Sequence, residues 1–186
     1  WLLTRTDLLG RVNSAFAPLV NWGLGQGWLR GILQTVLGVH RDRQVLHYQR
    51  ETFVRWWALR STDRKVSSGK KAALFAGCLV NYQATDVGKA TVQVLEKNGV
   101  EVALPDQSCC GMPSFDIGDT AAMVAAAERT IASLKSWVDQ GYDVVIPTPS
   151  CSLMVKREYV SLVAGDEAKR VAEHTYDISE YLMKMK

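Results

Sequence analysis

The chain has 186 residues, 47% of them hydrophobic, and a formal net charge of +3. That apolar content excludes a chain disordered throughout, and the length allows one ordinary domain plus an extension. The charge is unevenly placed: residues 1–70 carry 11 Lys/Arg against 4 Asp/Glu, a balance of +7, and residues 71–186 carry 11 against 15, a balance of −4. Five of the six Trp also fall in the first part. The expected organisation is a basic, Trp-rich amphipathic helical segment over 1–70, followed by an α/β domain over 71–186. The chain opens at Trp1 without a signal-peptide pattern and reads as a segment of a longer protein.

In residues 1–40, Leu8, Val12, Phe16, Leu19 and Val20 recur at helical spacing, interrupted by Pro18, Gly23, Gly25 and Gly27. A second apolar stripe runs through Trp28, Leu29, Ile32, Leu33, Val36 and Leu37. Val12 to Leu29 is uncharged for 18 residues, but its Pro, Gly, Asn and Gln content opposes a membrane span. Two short amphipathic helices are expected instead, lying in a membrane interface, on a partner or on the chain itself. Residues 40–70 place Arg41, Arg43, Arg50, Arg55, Arg60, Arg64 and Lys65 around Trp56-Trp57. No nucleic-acid motif accompanies them, so a solvated face is the expectation and nucleic acid is not an expected partner. Ser67-Ser68-Gly69 reads as a linker.

From Lys71 the pattern changes. Ala72 to Gly77 is a short buried strand, and Thr85 to Lys97 is helical with Val87, Thr91, Val94 and Leu95 on one side. Val100 to Leu104 is a second strand, ended by Pro105. Asp119 to Gln140 is a long Ala-rich helix stopped at Gly141. Tyr142 to Ile146 is a third strand. Leu153 to Val163 and Asp166 to Glu173 are helical, and Asp177-Ile178-Ser179-Glu180 caps a final short helix. Strand–helix alternation implies a small parallel sheet with right-handed crossovers and flanking helices.

All four cysteines follow these strands: Cys78 the first, Cys109 and Cys110 the second, Cys151 the third. In open parallel sheets, ligands collect outside the carboxyl ends of the strands. The topology therefore sends four thiols to one edge. An iron–sulfur cluster suits such a set. A four-thiolate zinc site is the alternative, although no paired Cys-x-x-Cys hairpins mark one. A vicinal pair is a poor disulfide, so a reducing compartment is expected. A third reading is a redox dithiol at Cys109-Cys110. Gly77, Gly111 and Pro113 support turns at the cysteines, and Asn81 and Tyr82 are candidates to donate hydrogen bonds beside Cys78. His40, His47 and His174 are given no role.

Gly77-Cys78, Cys109-Cys110-Gly111 and Pro149-Ser150-Cys151 resemble the cysteine-rich "CCG" domain. That family includes the cysteine-rich component of heterodisulfide reductase, iron–sulfur components of glycolate and lactate oxidation, and the iron–sulfur component of anaerobic glycerol-3-phosphate dehydrogenase. Resemblance to the last extends to Thr6-Asp7-Leu8-Leu9-Gly10, Phe16-Ala17-Pro18-Leu19-Val20-Asn21, Thr52-Phe53-Val54-Arg55-Trp56-Trp57 and Arg157-Glu158-Tyr159. It implies an electron-transfer module with Cys78, Cys109, Cys110 and Cys151 as cofactor and metal ligands. The implied partner is a flavin-containing dehydrogenase subunit acting on glycerol 3-phosphate or a 2-hydroxy acid, with electrons passing toward membrane quinone. The implied location is cytoplasmic, peripheral at the inner face of the cell membrane. Heterodisulfide reductase-like thiol exchange, and a scaffold with a degenerate or zinc-filled site, are the alternatives. The fuller family signature ends in Cys-x-x-Cys, and Thr148 stands at the first of those positions.

Overall fold

The computed structural model describes residues 4–60 and 69–185. Four short strands, β1 (Lys71–Leu74), β2 (Glu101–Ala103), β3 (Asp143–Ile146) and β4 (Thr175–Asp177), form one parallel sheet in the order β2-β1-β3-β4. In register, Ala73 lies between Ala103 and Val144. The chain leaves β1 toward one side for β2 and crosses to the other side for β3. The loops after β1 and β3 therefore meet where the strand order reverses, the place where such sheets bind ligands.

Both faces of the sheet are covered, which is why its central strands read as continuous apolar runs. Val144 and Ile146 pack on one side with Ile131, Leu134 and Val138 of α8 (Thr120–Asp139) and Val171 of α11 (Asp166–Glu173). Val145 and Ala72 face the other side, with Leu95 of α6 (Thr85–Lys97) and Tyr181 of α12 (Ile178–Lys184). This is the expected α/β fold. The capping box at Asp177 and Glu180 is present as expected. The fourth strand is not among the expected elements: three residues framed by two helices carry no apolar run of their own.

Two helices differ from expectation. α6 buries Thr91 and Leu95 as anticipated, but Val87 and Val94 are exposed, and Gly88 and Val92 take their place. A Cβ at Gly88 would lie 2.7 Å from both Phe53 and Val80, so the helix turns its glycine face inward to let Phe53 approach. The helix after β3 starts earlier than Leu153. α9 (Pro149–Leu153), a π turn (Met154–Glu158) and α10 (Tyr159–Leu162) run on from one another. Proline in the first turn is pre-set for helix entry, and it draws Cys151 into the helix.

The amino-terminal part forms α1 (Thr6–Ala15), α2 (Ala17–Gly25) and α3 (Gly27–Leu37), then an extended stretch and α4 (Phe53–Leu59). The Asn21 side chain donates to Tyr48 O at 2.8 Å and accepts from Tyr48 N–H at 3.0 Å, tying the extended stretch down. Trp56 and Trp57 are half-buried rather than part of a solvated face. They pack around Phe53, with the Arg60 guanidinium 3.8 Å over Trp57 and paired to Glu96 at 2.7 Å. Arg64, Lys65 and Ser67-Ser68 lie outside the described residues. Among the described residues, no helix is long and apolar enough to cross a membrane.

α1 docks on α5 (Gly77–Tyr82) through Gly10, where a Cβ would fall 2.2 Å from the buried Tyr82 ring. Gly10→Ala forces that ring aside. It is expected to destabilise the protein by about 1–3 kcal/mol and to open α1 to limited proteolysis. Equal melting temperatures and equal cleavage rates for variant and parent would refute this docking.

Candidate functional site

Three loops deliver the thiols. After β1 the chain turns at Gly77, whose φ of +67° is left-handed, and Cys78 follows in the first turn of α5. A Cβ on Gly77 would also lie 3.4 Å from Cys151 Sγ, so this glycine is needed both for its turn and for the sulfur beside it. After β2 the chain runs through Gln107-Ser108-Cys109-Cys110 to Gly111, also left-handed at +87°, which begins the short α7 (Met112–Asp116). After β3, Thr148 and Pro149 open α9 and place Cys151 in its first turn. Pro113 serves this turn geometry at the start of α7.

The four sulfurs meet. Cys78 Sγ lies 3.7 Å from Cys109 Sγ, and Cys110 Sγ lies 3.0 Å from Cys151 Sγ. All four are free thiols; three are buried and Cys78 is partly so. Their protons are shared unequally. Hydrogen bonds from the Cys110 and Cys78 thiols hold Cys109 far below the usual thiol range, with the Thr6 hydroxyl and Gly111 N–H adding to the effect. Cys78 and Cys110 are pushed far up, first by their hydrogen bonds to Cys109 and then by burial. Cys78, Cys109 and Cys110 titrate as one interacting group in which negative charge is favoured on Cys109.

Residues with no motif of their own hold this arrangement. The Gln107 carboxamide bridges two cysteine loops. Its oxygen accepts from Ala76 N–H at 2.7 Å and Gly77 N–H at 3.2 Å, and its nitrogen donates to Leu74 O at 3.1 Å and Pro105 O at 2.8 Å. Asp7 of α1 accepts from Cys109 N–H at 2.8 Å across 102 positions of sequence. Burial raises the Asp7 carboxyl above its ordinary range, opposed by that hydrogen bond. Thr6, its neighbour, presents a buried hydroxyl without a well-formed hydrogen bond to the Cys78 and Cys109 sulfurs. The fully buried Tyr159 hydroxyl donates to Cys110 O at 2.8 Å. The only local signal for Gln107 is a side chain with both donor and acceptor immediately before the cysteine pair. Thr6 and Asp7 are marked only as part of the Thr6-Asp7-Leu8-Leu9-Gly10 stretch of the family resemblance, which does not connect them to the cysteines.

Other expectations are corrected. Asn81 does not donate beside Cys78: its carboxamide oxygen accepts from Val54 N–H at 3.0 Å and holds the start of α4. Tyr82 turns its ring to Gly10 and its hydroxyl to Arg11. His174 sits at the opposite rim of the sheet, 3.5 Å from Asp143, and His40 lies beside Asp42.

The donor set fits an iron–sulfur cluster in its chemistry: four sulfurs at one largely buried point, with the nearby carboxylate of Asp7 committed to a backbone N–H. It does not fit a single ion. Among the described residues, no three Cys, His, Asp or Glu are disposed about a point that could hold one, so the zinc alternative finds no support.

Residues 72–156 match the family described as CCG, cysteine-rich domain. The chain is 30% identical over 177 residues to the C subunit of anaerobic glycerol-3-phosphate dehydrogenase of Escherichia coli (strain K12), spanning 94% of this chain and 44% of that protein. It is 38% identical over 121 residues to "Lactate utilization protein A" of Geobacillus thermodenitrificans (strain NG80-2), spanning 62% of this chain and 48% of that protein. "Lactate utilization protein A" of Bacillus subtilis (strain 168) is likewise 38% identical over 121 residues, spanning 62% and 49%. The chain spans about half the length of these curated relatives. No solved structure matches it significantly.

Gln107→Ala removes four hydrogen bonds to loop backbone and is expected to cost about 2–4 kcal/mol in urea unfolding. Tyr159→Phe, which orphans one buried carbonyl, should cost about 1–2 kcal/mol. A Gln107→Ala variant no less stable than Tyr159→Phe would contradict the bridging role.

Proposed function

We propose that this chain, which carries a CCG-type cysteine-rich domain over residues 72–156, is an electron-transfer module of a dehydrogenase system. Its iron–sulfur cluster would be held by Cys78, Cys109, Cys110 and Cys151. The observation that carries this reading is the convergence of four sulfurs from three loops on one edge of the sheet. Bound there, an iron–sulfur cluster supplies one-electron storage and transfer.

The chain's own residues supply the rest. Its thiol neighbours lower the pKa of Cys109 and so favour the thiolate, the form in which a cysteine binds metal. Gly111 N–H aims a positive dipole at the Cys109 sulfur, which stabilises negative charge there. Gln107 and Tyr159 fix the loop backbone, so electron transfer requires little rearrangement. Burial keeps bulk water from the inner sulfurs of Cys110 and Cys151.

The relatives named above motivate the wider assignment. The donor would be a flavin-containing dehydrogenase subunit oxidising glycerol 3-phosphate or a 2-hydroxy acid, and the acceptor membrane quinone. The protein would sit peripherally at the inner face of the cell membrane. The exposed side chains of Leu19, Trp22, Trp28, Ile32 and Val36 on α2 and α3, with Arg30 beside them, suit docking at a membrane or partner.

Protein prepared without oxygen is expected to contain iron and acid-labile sulfide in comparable amounts, with an electron paramagnetic resonance signal in one redox state. Cys110→Ser and Cys151→Ser should lose most of that iron while retaining the circular dichroism of the parent. Folded, oxygen-free protein lacking iron would overturn the assignment.

A further inference from the structure

Between α1, the start of α4 and the end of α5 lies a cleft of about 370 Å³, within the size range of small-molecule sites. α1 contributes Arg11 and Ala15, one turn apart on one helix face. Arg50 and Arg55 line it from either side of Thr52, the cap of α4, and Tyr82 of α5 backs it. Among the described residues, no Asp, Glu or Cys lines this cleft.

The acids nearby are already matched. Asp7 feels both Arg11 and Arg129 and accepts Cys109 N–H at 2.8 Å. Arg11 also serves the Tyr82 hydroxyl, so it is not a spare charge. Burial raises the Tyr82 phenol above its ordinary range, so that side chain stays neutral. Glu51, between the other two arginines in sequence, is paired with Lys89 at 2.6 Å. Arg50 and Arg55 are what remains. Both are exposed, and neither guanidinium takes a hydrogen bond or ion pair among the described residues; Arg55 donates only its backbone N–H, to Thr52. In the α/β domain, by contrast, the exposed cations Lys135, Lys156 and Arg170 are paired with Glu167, Glu180 and Asp139. Two unpaired guanidinium groups on the wall of one cleft repel each other, and an anion between them reverses that interaction.

We propose that this cleft binds a phosphate group, held between Arg50 and Arg55. Two surplus positive charges match the charge of a phosphate monoester near neutral pH. The two arginines come from different segments, and a tetrahedral phosphate offers oxygens to both, whereas a carboxylate offers a single plane. Exposed Val12 and Phe16 adjoin Arg11 and Ala15 along the chain. Two carriers of the phosphate are therefore open: a soluble ester, or a lipid headgroup whose chains lie against these apolar side chains. The site goes beyond the redox reading, since none of the four cysteines lines it.

The test is calorimetric titration of the full chain with inorganic phosphate at neutral pH, at ionic strength held constant with sodium chloride. A second arm sediments the chain with phosphatidylcholine vesicles carrying phosphatidic acid. Saturable binding of one phosphate per chain is expected. Arg50→Gln and Arg55→Gln should each weaken it by about tenfold or more, the loss of one charge-assisted contact. Arg41→Gln removes the same charge from the same basic segment but outside the cleft, and should bind as the parent does. Vesicle capture that Arg50→Gln and Arg55→Gln lose and Arg41→Gln keeps identifies a lipid headgroup as the carrier. Phosphate binding without such capture identifies a soluble ester. Absence of phosphate binding together with absence of variant-sensitive capture overturns the proposal, and so does equal weakening by Arg41→Gln. Iron content is measured on the same preparations, so loss of the cluster assignment and loss of this site are separate outcomes.

Discussion

One carboxamide joins the loops on which everything else at this edge depends. Gln107 has two donor hydrogens and a carbonyl oxygen, and it commits them to four backbone groups on two sides of the sulfur cluster. Parallel strands cannot position a loop beyond their last ladder bond, and β1 and β2 end well short of Cys78 and Cys109. A backbone N–H or C=O left without a partner at such a place costs as much as a lost hydrogen bond. Gln107 meets that requirement for Ala76, Gly77 and Leu74 at once. In doing so it fixes the distance between the loop of Cys78 and the loop of Cys109. Tyr159 does the same from the other face for Cys110. The thiols are brought to the edge by the strand order, and their spacing is set by these two side chains.

The amino-terminal helices belong to the same construction. Gly10 lets α1 lie close to the Tyr82 ring, and that approach delivers Thr6 and Asp7 to the cysteine pair. Phe53 reaches the same layer by way of Gly88, and Asn81 anchors α4. Two glycines therefore admit two helices to the flank of the site. Farther along, α2 and α3 make few inward contacts and leave their Trp and Leu side chains outside. The basic segment thus has two physical characters: one turn of α1 completes the thiol environment, and the later helices offer a surface.

The fold class and the meeting of the cysteines were legible because both follow from repetition. Strand–helix alternation dictates parallel strands, and parallel strands point their carboxyl ends one way, so cysteines placed after successive strands must share an edge. What was not legible depends on single long-range approaches. Asp7 and Cys109 are 102 positions apart, and no periodicity connects them. The inward face of α6 escapes a reading by apolar spacing because a glycine, with no side chain to read as apolar, marks the closest packing. β4 escapes it because three residues carry too short an alternation to register, and its place in the sheet comes from pairing with β3. Asn81 lies three residues beyond Cys78, near enough along the chain to suggest a shared role. On a helix that spacing does not decide which neighbour a side chain serves, and Asn81 serves α4.

The proton arrangement bears on how such an edge accepts a cofactor. Negative charge is favoured on Cys109, by donors that are themselves thiols. The same hydrogen bonds that favour negative charge on Cys109 oppose it on Cys78 and Cys110, and burial adds to that opposition. Without a cation, a second thiolate this close would face a like charge in a medium of low dielectric. A metal centre reverses the sign of that interaction, since a coordinating thiol is deprotonated outright. A cluster held by these sulfurs would have to displace the protons of Cys78 and Cys110, so its binding would be expected to strengthen as pH rises. Asp7 adds negative charge next to the pair but spends one oxygen on the Cys109 N–H, which limits how strongly it opposes the thiolate. Negative charge is thus favoured on Cys109 and opposed on Cys78 and Cys110, and positive charge would be needed for those two to ionise as well.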